Sequence, residues 1–201
     1  MLINNGIDQV STNSYLPGVF DWPARMKEMV DFVGLTPVEL ELVRSSAPIL
    51  LAHADELTSA IYDHFLKFPE ARKFFLAEDG EVDPERIDRR KHSLARWLQA
   101  SIEFKVDEDF PVFLLAIGLA HGHPPSHRAH LGSIPSRFMI GTLSFVQTAL
   151  AQLLFLGMDD QSEARRASIA WNKLLMVQLD MLLSGYVTEQ PTEPTAEPKN
   201  K

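Results

Sequence analysis

An all-α fold is what this sequence predicts, and three observations carry that expectation. Apolar residues recur at three- and four-residue spacing along most of the chain. Helix-starting signals precede these runs, while no stretch alternates apolar and polar residues long enough to form a strand. One internal apolar run, Phe113-Leu-Leu-Ala-Ile-Gly-Leu-Ala-His121, ends in a histidine and then breaks at Gly122-His123-Pro124-Pro125.

Residues 1–20 are polar and turn-rich, with a turn at Pro17-Gly18, and are expected to form an N-terminal extension. A short helix follows from about Pro23 to Val33 and stops at Gly34. Thr36-Pro37-Val38-Glu39 is a capping box with proline in the first turn, which opens the next helix. Pro48 is expected to start or kink a long amphipathic helix reaching about Lys67. Pro69 opens a short helix ending near Phe74-Phe75, and Glu78–Asp83 reads as loop. Asp83-Pro84 is a second N-terminal signal, for a helix to about Ile102. The next helix spans Asp107 to His121, and Gly122–Ser133 is expected to be irregular. Pro135 starts a long apolar helix to about Leu156, and Asp160-Gln-Ser-Glu163 caps a last helix to about Tyr186. This gives one domain over residues 21–187, with 188–201, rich in proline, glutamate and threonine, expected as a disordered tail.

With 201 residues the chain can bury roughly 70% of its unfolded surface and needs no covalent staples. It has no cysteine, which removes disulfides, zinc-thiolate sites, thiol catalysis and thioether-linked haem, and suits a cytoplasmic location. The N-terminus lacks the pattern of a secretory leader. No uninterrupted apolar run approaches the ~20 residues of a membrane span, so no membrane partner is expected. A net charge of −8 argues against nucleic acid.

Helical steps back from His121 pass through Gly118, Ile117, Leu114 and Phe110, so the imidazole sits on an oily face. A ring there must satisfy two nitrogens. A metal on one and a backbone carbonyl on the other is one solution, and a haem iron is the leading candidate. A core histidine satisfied by ordinary hydrogen bonds is the plainer alternative. His121, His123, His127 and His130 also invite a zinc reading, but no ligand pattern of the usual spacing is present, and the last three are read as surface residues.

Several features now fall into one order: Pro17-Gly18, Ile61-Tyr62, Pro69 with Phe74-Phe75, Arg90-Lys91, Arg96-Trp97, Ile117-Gly118-Leu119-Ala120-His121, Ile134-Pro135, Phe145 and Ala170-Trp171. In order and spacing the set resembles the protoglobins, of the same lineage as the sensor domains of globin-coupled sensors. The resemblance covers roughly residues 17–187. It implies a globin-like helical sandwich with an extra N-terminal helix, and haem b (iron protoporphyrin IX) held by His121 as proximal ligand. It places Tyr62 over the distal side, where its hydroxyl would donate to bound dioxygen; a tyrosine merely packed in a core is the alternative. Leu94, Trp97 and Leu98 would cover the distal face, with Phe145 and Ala149 lining the pocket from the helix after Pro135 and Ile117 beside the ligand. All are equally compatible with ordinary core. The chain departs from the archaeal pattern at Ile61, where a tryptophan precedes the distal tyrosine, and at Leu94, where phenylalanine is usual. Both changes alter pocket shape.

Arg86, Arg89, Arg90, Lys91, His92 and Arg96 form a basic run in an acidic protein. Most of it reads as a solvated helix face. One or two members, Arg90 among them, or Arg137, would pair with haem propionates. His92 as a distal iron ligand is disfavoured, because two residues on a helix separate it from Leu94 by about 200°.

The expected function is a globin that binds a diatomic gas (O2, CO or NO) as sensor or scavenger, with no output domain of its own. A haem enzyme, acting by nitric-oxide dioxygenation, peroxidase-like or carbene-transfer chemistry, is the alternative; a non-haem helical interaction domain is the second. The helix after Pro135 carries apolar residues from Ile140 to Phe155 on more than one face, as does the last helix from Trp171 to Leu183. This predicts a homodimer through the two C-terminal helices, which the resemblance also implies.

Overall fold

Capping residues and prolines decide where the helices begin. The computed structural model describes residues 21–187 except 78, 108 and 125, so the turn at Pro17-Gly18, the extension and the tail lie outside the described residues. The helices are α1 (Trp22–Phe32), α2 (Pro37–Ala52), α3 (Ala54–Leu66), α4 (Pro69–Arg72), α5 (Pro84–Ile102), α6 (Asp109–Gly122), α7 (Ser136–Gly157) and α8 (Gln161–Val187). Thr36 makes the predicted capping box, its hydroxyl accepting from the Glu39 amide and its own amide donating to the Glu39 carboxylate. Asp83 caps α5 by accepting from the Arg86 amide at 2.9 Å. Gly34 ends the first turn region with φ of 63°, a left-handed conformation that favours glycine.

Two expectations change. Pro48 neither starts nor ends a helix but lies inside α2; the break comes five residues later, at His53, with φ −112° and ψ 14°. Proline removes one hydrogen bond, and here the burial of Val43, Ala47 and Leu50 holds the helix through it. The segment after His121 is not wholly irregular, since Ser126–Leu131 winds into a 3-10 helix. By length and composition α7 could cross a membrane, at 22 residues. The core helix of a soluble protein passes the same test, and Ser144, Gln147, Thr148 and Gln152 interrupt the apolar run, as the sequence count requires.

The last helix is the spine. It packs against α6, α7, α2 and α1, while α3 lies on α5 and α7. Trp171, Leu174, Leu175 and Met181 of α8 are fully buried, as are Leu50, Leu114 and Leu150 from its neighbours. Each such side chain is worth about 1.5–3 kcal/mol of hydrophobic burial. The Trp171 indole donates to Ser46 Oγ at 3.0 Å, which fixes α8 on α2. A second, smaller cluster forms around Tyr62, Phe74 and Phe75, with Phe65, Leu66, Ile87, Leu94, Leu131 and Ile134 packed on it.

Candidate functional site

The site begins where α6 crosses α8. A side chain at Gly118 would collide with the Leu182 carbonyl, and one at Gly185 would lie 2.7 Å from the Leu115 carbonyl. The two glycines therefore let the helix backbones touch. One turn beyond Gly118, in the last turn of α6, stands His121.

His121 Nδ1 lies 2.6 Å from the Ile117 carbonyl oxygen. A carbonyl only accepts, so Nδ1 carries a proton, and in the neutral ring the lone pair is then on Nε2. The following loop folds back, and the Ile134 amide donates to the His121 carbonyl at 2.9 Å. That return borders a partly open cavity of about 470 Å³. Its walls are His121 and Ala120 of α6, Pro124, His130, Leu131, Gly132 and Ile134 of the returning loop, Phe74, and Arg86, Arg89, Arg90 and Ser93 of α5. The α5 residues are spaced i, i+3, i+4 and i+7, one face of the helix. No acidic residue is among these described walls.

The predicted residues divide. His121 and Arg90 line the cavity. Ile117 contributes its carbonyl, while its side chain packs on the main core. Tyr62 is buried one layer behind the wall, since Phe74, Leu131 and Ile134 belong both to its cluster and to the cavity. Its ring meets Phe65 and Phe75 edge-to-face at 5.8 and 5.6 Å. Burial pushes the Tyr62 phenol up to about 12, opposed by the positive charge of Arg90, so it stays a neutral donor near neutral pH.

Leu94, Trp97 and Leu98 occupy the second half of α5, away from the cavity walls. Leu94 bridges the two clusters, and Trp97 and Leu98 are buried in the main core. The Trp97 indole N–H and Gln178 Nε2 are buried without a partner among the described residues. Phe145 lies against His64 at 5.0 Å, and Ala149 packs on the main core; neither lines the cavity. Arg137 is exposed and bonds Glu70 at 3.0 Å, outside the walls. His92 is exposed too, its Nδ1 donating to the Asp88 carbonyl at 2.8 Å. Lys91 donates to Ser59 on α3 at 3.0 Å, and Arg96 belongs to another surface cleft with Lys105 and Phe110.

Sequence reasoning read His123 and His130 as surface residues. His130 is exposed yet lines the cavity, and His123 is half-buried with Nε2 lacking a partner among the described residues; the His127 side chain lies outside those residues. Among the described residues no three of His, Asp and Glu converge as for a metal ion. The arginines of α5 were also read mainly as solvated. Their i, i+3, i+4 spacing was the signal that could have placed them together on one wall.

The protoglobin family profile matches residues 23–192. The chain belongs to the protoglobin family. Among solved structures it is similar to the globin domain of the Geobacter sulfurreducens globin-coupled sensor, with TM-score 0.65 and 20% identity over 81% of this chain and 97% of that one. It is also similar to the globin domain of E. coli DosC in a ferric form, with TM-score 0.60 and 18% identity over 80% of this chain and 99% of that one. The ferrous form of that domain gives 0.59 at the same identity and coverage. No curated protein matches the sequence. Membership makes this protoglobin a globin-type haem protein with a gas-binding role.

The cavity fits that group. Its volume lies within the range of about 300–1,000 Å³ usual for cofactor sites. It has apolar walls for a porphyrin, arginines for two carboxylates, and an imidazole whose protonated nitrogen is already engaged by a carbonyl.

Proposed function

We propose that this protoglobin binds one haem b per chain through His121 Nε2 and holds O2, CO or NO on the side toward Tyr62. The Nδ1 bond to the Ile117 carbonyl carries the reading, because it orients the ring and raises its basicity as metal-bound histidines require. Haem supplies the iron on which a diatomic gas is held. The protein supplies position and exclusion of water. Arg86 and Arg89, half-buried and exposed on the cavity wall, suit propionates that reach toward solvent, whereas Arg137 is held elsewhere by Glu70. Tyr62 presents a neutral hydroxyl donor from an otherwise apolar cluster. Reversible gas binding needs no more than these parts.

His121→Ala tests the reading. The parent is expected to show a haem Soret band and a CO-bound ferrous spectrum, and the variant to lose stable haem or change its iron ligand. A variant with the parent's spectra would overturn the assignment.

The dimer belongs to the same proposal, with a narrower basis than the sequence gives it. The apolar faces of α8 are used within the chain, since Trp171, Leu174, Leu175, Met181 and Leu182 are buried. On α7, however, Ile140, Phe155 and Leu156 are exposed, and Ile169 of α8 is exposed too. Ile140 and Phe155 lie about 60° apart around the helix. A second copy covering them gives a species of twice 22.6 kDa in sedimentation. Phe155→Glu should split it, and a parent sedimenting as a single chain would refute it.

A further inference from the structure

His121 is tied to its own helix, since its Nδ1 bond runs to the Ile117 carbonyl one turn earlier. That bond fixes the ring only as firmly as the last turn of α6 is itself fixed. Gly118 supplies one point of support, where α6 touches α8 backbone to backbone. A helix resting on one crossing point can still tilt about it. Gly122, one turn on and on the same face, supplies a second point. A side-chain carbon at Gly122 would lie 3.1 Å from both Cα and Cδ1 of Tyr186, so the backbone and ring of Tyr186 sit directly on the end of α6. Around the helix, His121 lies about 60° from Gly118 and about 100° from Gly122. It therefore projects past the edge of α8, with one support before it in the chain and one after.

We propose, resting on the haem reading above, that Tyr186 is a positioning residue for the iron ligand: its ring clamps the last turn of α6 and so sets the direction in which His121 Nε2 points. The ring, not the hydroxyl, is the hold. Tyr186 packs on the main core, while its hydroxyl is buried with no partner among the described residues. Replacing such a hydroxyl by hydrogen removes no bond and leaves the contact with Gly122 in place. A ligating group must be kept within about 10–20° of its productive direction by packing and by the groups behind it. The Ile117 carbonyl sets the rotation of the imidazole, the Gly118–Gly185 contact sets where the helix lies, and Tyr186 removes the remaining tilt.

The test compares the full-length parent with Tyr186→Phe, Tyr186→Ala and Leu174→Val, the last a cut in the buried core of α8 about 18 Å back along the helix. Two readouts are taken: amide exchange of residues 117–122 in the haem-free protein, and the iron–histidine stretching band of the ferrous, haem-loaded protein by resonance Raman. Tyr186→Phe is expected to match the parent in both. Tyr186→Ala is expected to speed exchange in that turn, to shift the band, and to weaken haem binding roughly 10-fold, the low end of the usual loss when an outer support of a metal ligand is removed. Leu174→Val is expected to lower the unfolding midpoint and leave the band in place. A Tyr186→Ala variant with the parent's band would overturn the proposal. An equal shift in Leu174→Val would also overturn it, by assigning the effect to general loosening. So would a Tyr186→Phe variant that behaves like Tyr186→Ala, because the hydroxyl would then be the hold. If Tyr186→Ala does not fold, Tyr186→Leu is read in its place against the same outcomes. A parent that takes up no haem is a separate failure: it refutes the haem reading, and exchange in the haem-free protein still decides whether Tyr186 holds the end of α6.

Discussion

The two walls of the cavity are made in different ways. On the His121 side, α6 lies on α8 backbone to backbone at Gly118 and Gly185, with the ring locked by the carbonyl four residues earlier. On the arginine side, α5 is held to its neighbours by side chains: Lys91 to Ser59 at 3.0 Å, Ser101 to Gln178 at 3.2 Å, and Arg86 to the Leu76 carbonyl at 2.7 Å. A backbone contact leaves no rotamer to adjust, whereas long side chains do. The contrast assigns fixed placement of a ligand to one wall and adjustable recognition to the other.

The most damaging way to break that contrast is at the helix crossing. Gly118→Val puts branched carbon where the Leu182 carbonyl already stands, and backbone cannot swing aside as a side chain does. Separating α6 from α8 should cost about 3 kcal/mol or more. Denaturant unfolding would show a large fall in midpoint, with haem uptake lost alongside. A variant within about 0.5 kcal/mol of the parent would mean that the close approach does not position His121.

What the sequence disclosed, and what it hid, follows the same division. The Thr36 capping box, the Asp83-Pro84 start and the histidine ending α6 were legible because each depends on residues within one helical turn. Face, too, was legible: Phe110, Leu114 and Gly118 are buried as their spacing required. The partner of a face was not. Nothing near Gly118 in the chain names Leu182, and nothing near Leu94 says that the second half of α5 enters the main core while its first half meets the cavity. Charge misled for a related reason. Arginines are usually solvated, and only a tertiary contact shows that four residues of α5 stand on a wall with a histidine 31 positions away from Arg90. Pro48 does not start a helix, because burial on either side of it outweighs one missing hydrogen bond.

A smaller effect sharpens the comparison from the recognition side. If Tyr62 donates to bound dioxygen, Tyr62→Phe removes one hydrogen bond to a partly charged acceptor. That is about 1.5–3 kcal/mol, or roughly 10- to 150-fold in dissociation rate. CO carries less charge, so its release should change little. Stopped-flow release of both gases separates this from packing, because loss of the edge-to-face contacts with Phe65 and Phe75 would shift both gases together.

The smallest expected effect lies at the start of α5. Asp83 accepts from the Arg86 amide at 2.9 Å, and its other oxygen is 3.4 Å from Arg86 Nε, so one carboxylate both caps the helix and holds the first arginine of the wall. Asp83→Ala should cost about 1 kcal/mol, the usual loss for a missing N-cap. The consequence should be local. Amides of the first turns of α5 are expected to exchange faster, because that end depends on side chains, while those of α6 near His121 keep their protection because the α6–α8 crossing is untouched. Hydrogen exchange read peptide by peptide distinguishes the two walls directly. Equal loosening of α5 and α6 would show that they form one cooperative unit, and the division between a fixed wall and an adjustable one would then be wrong.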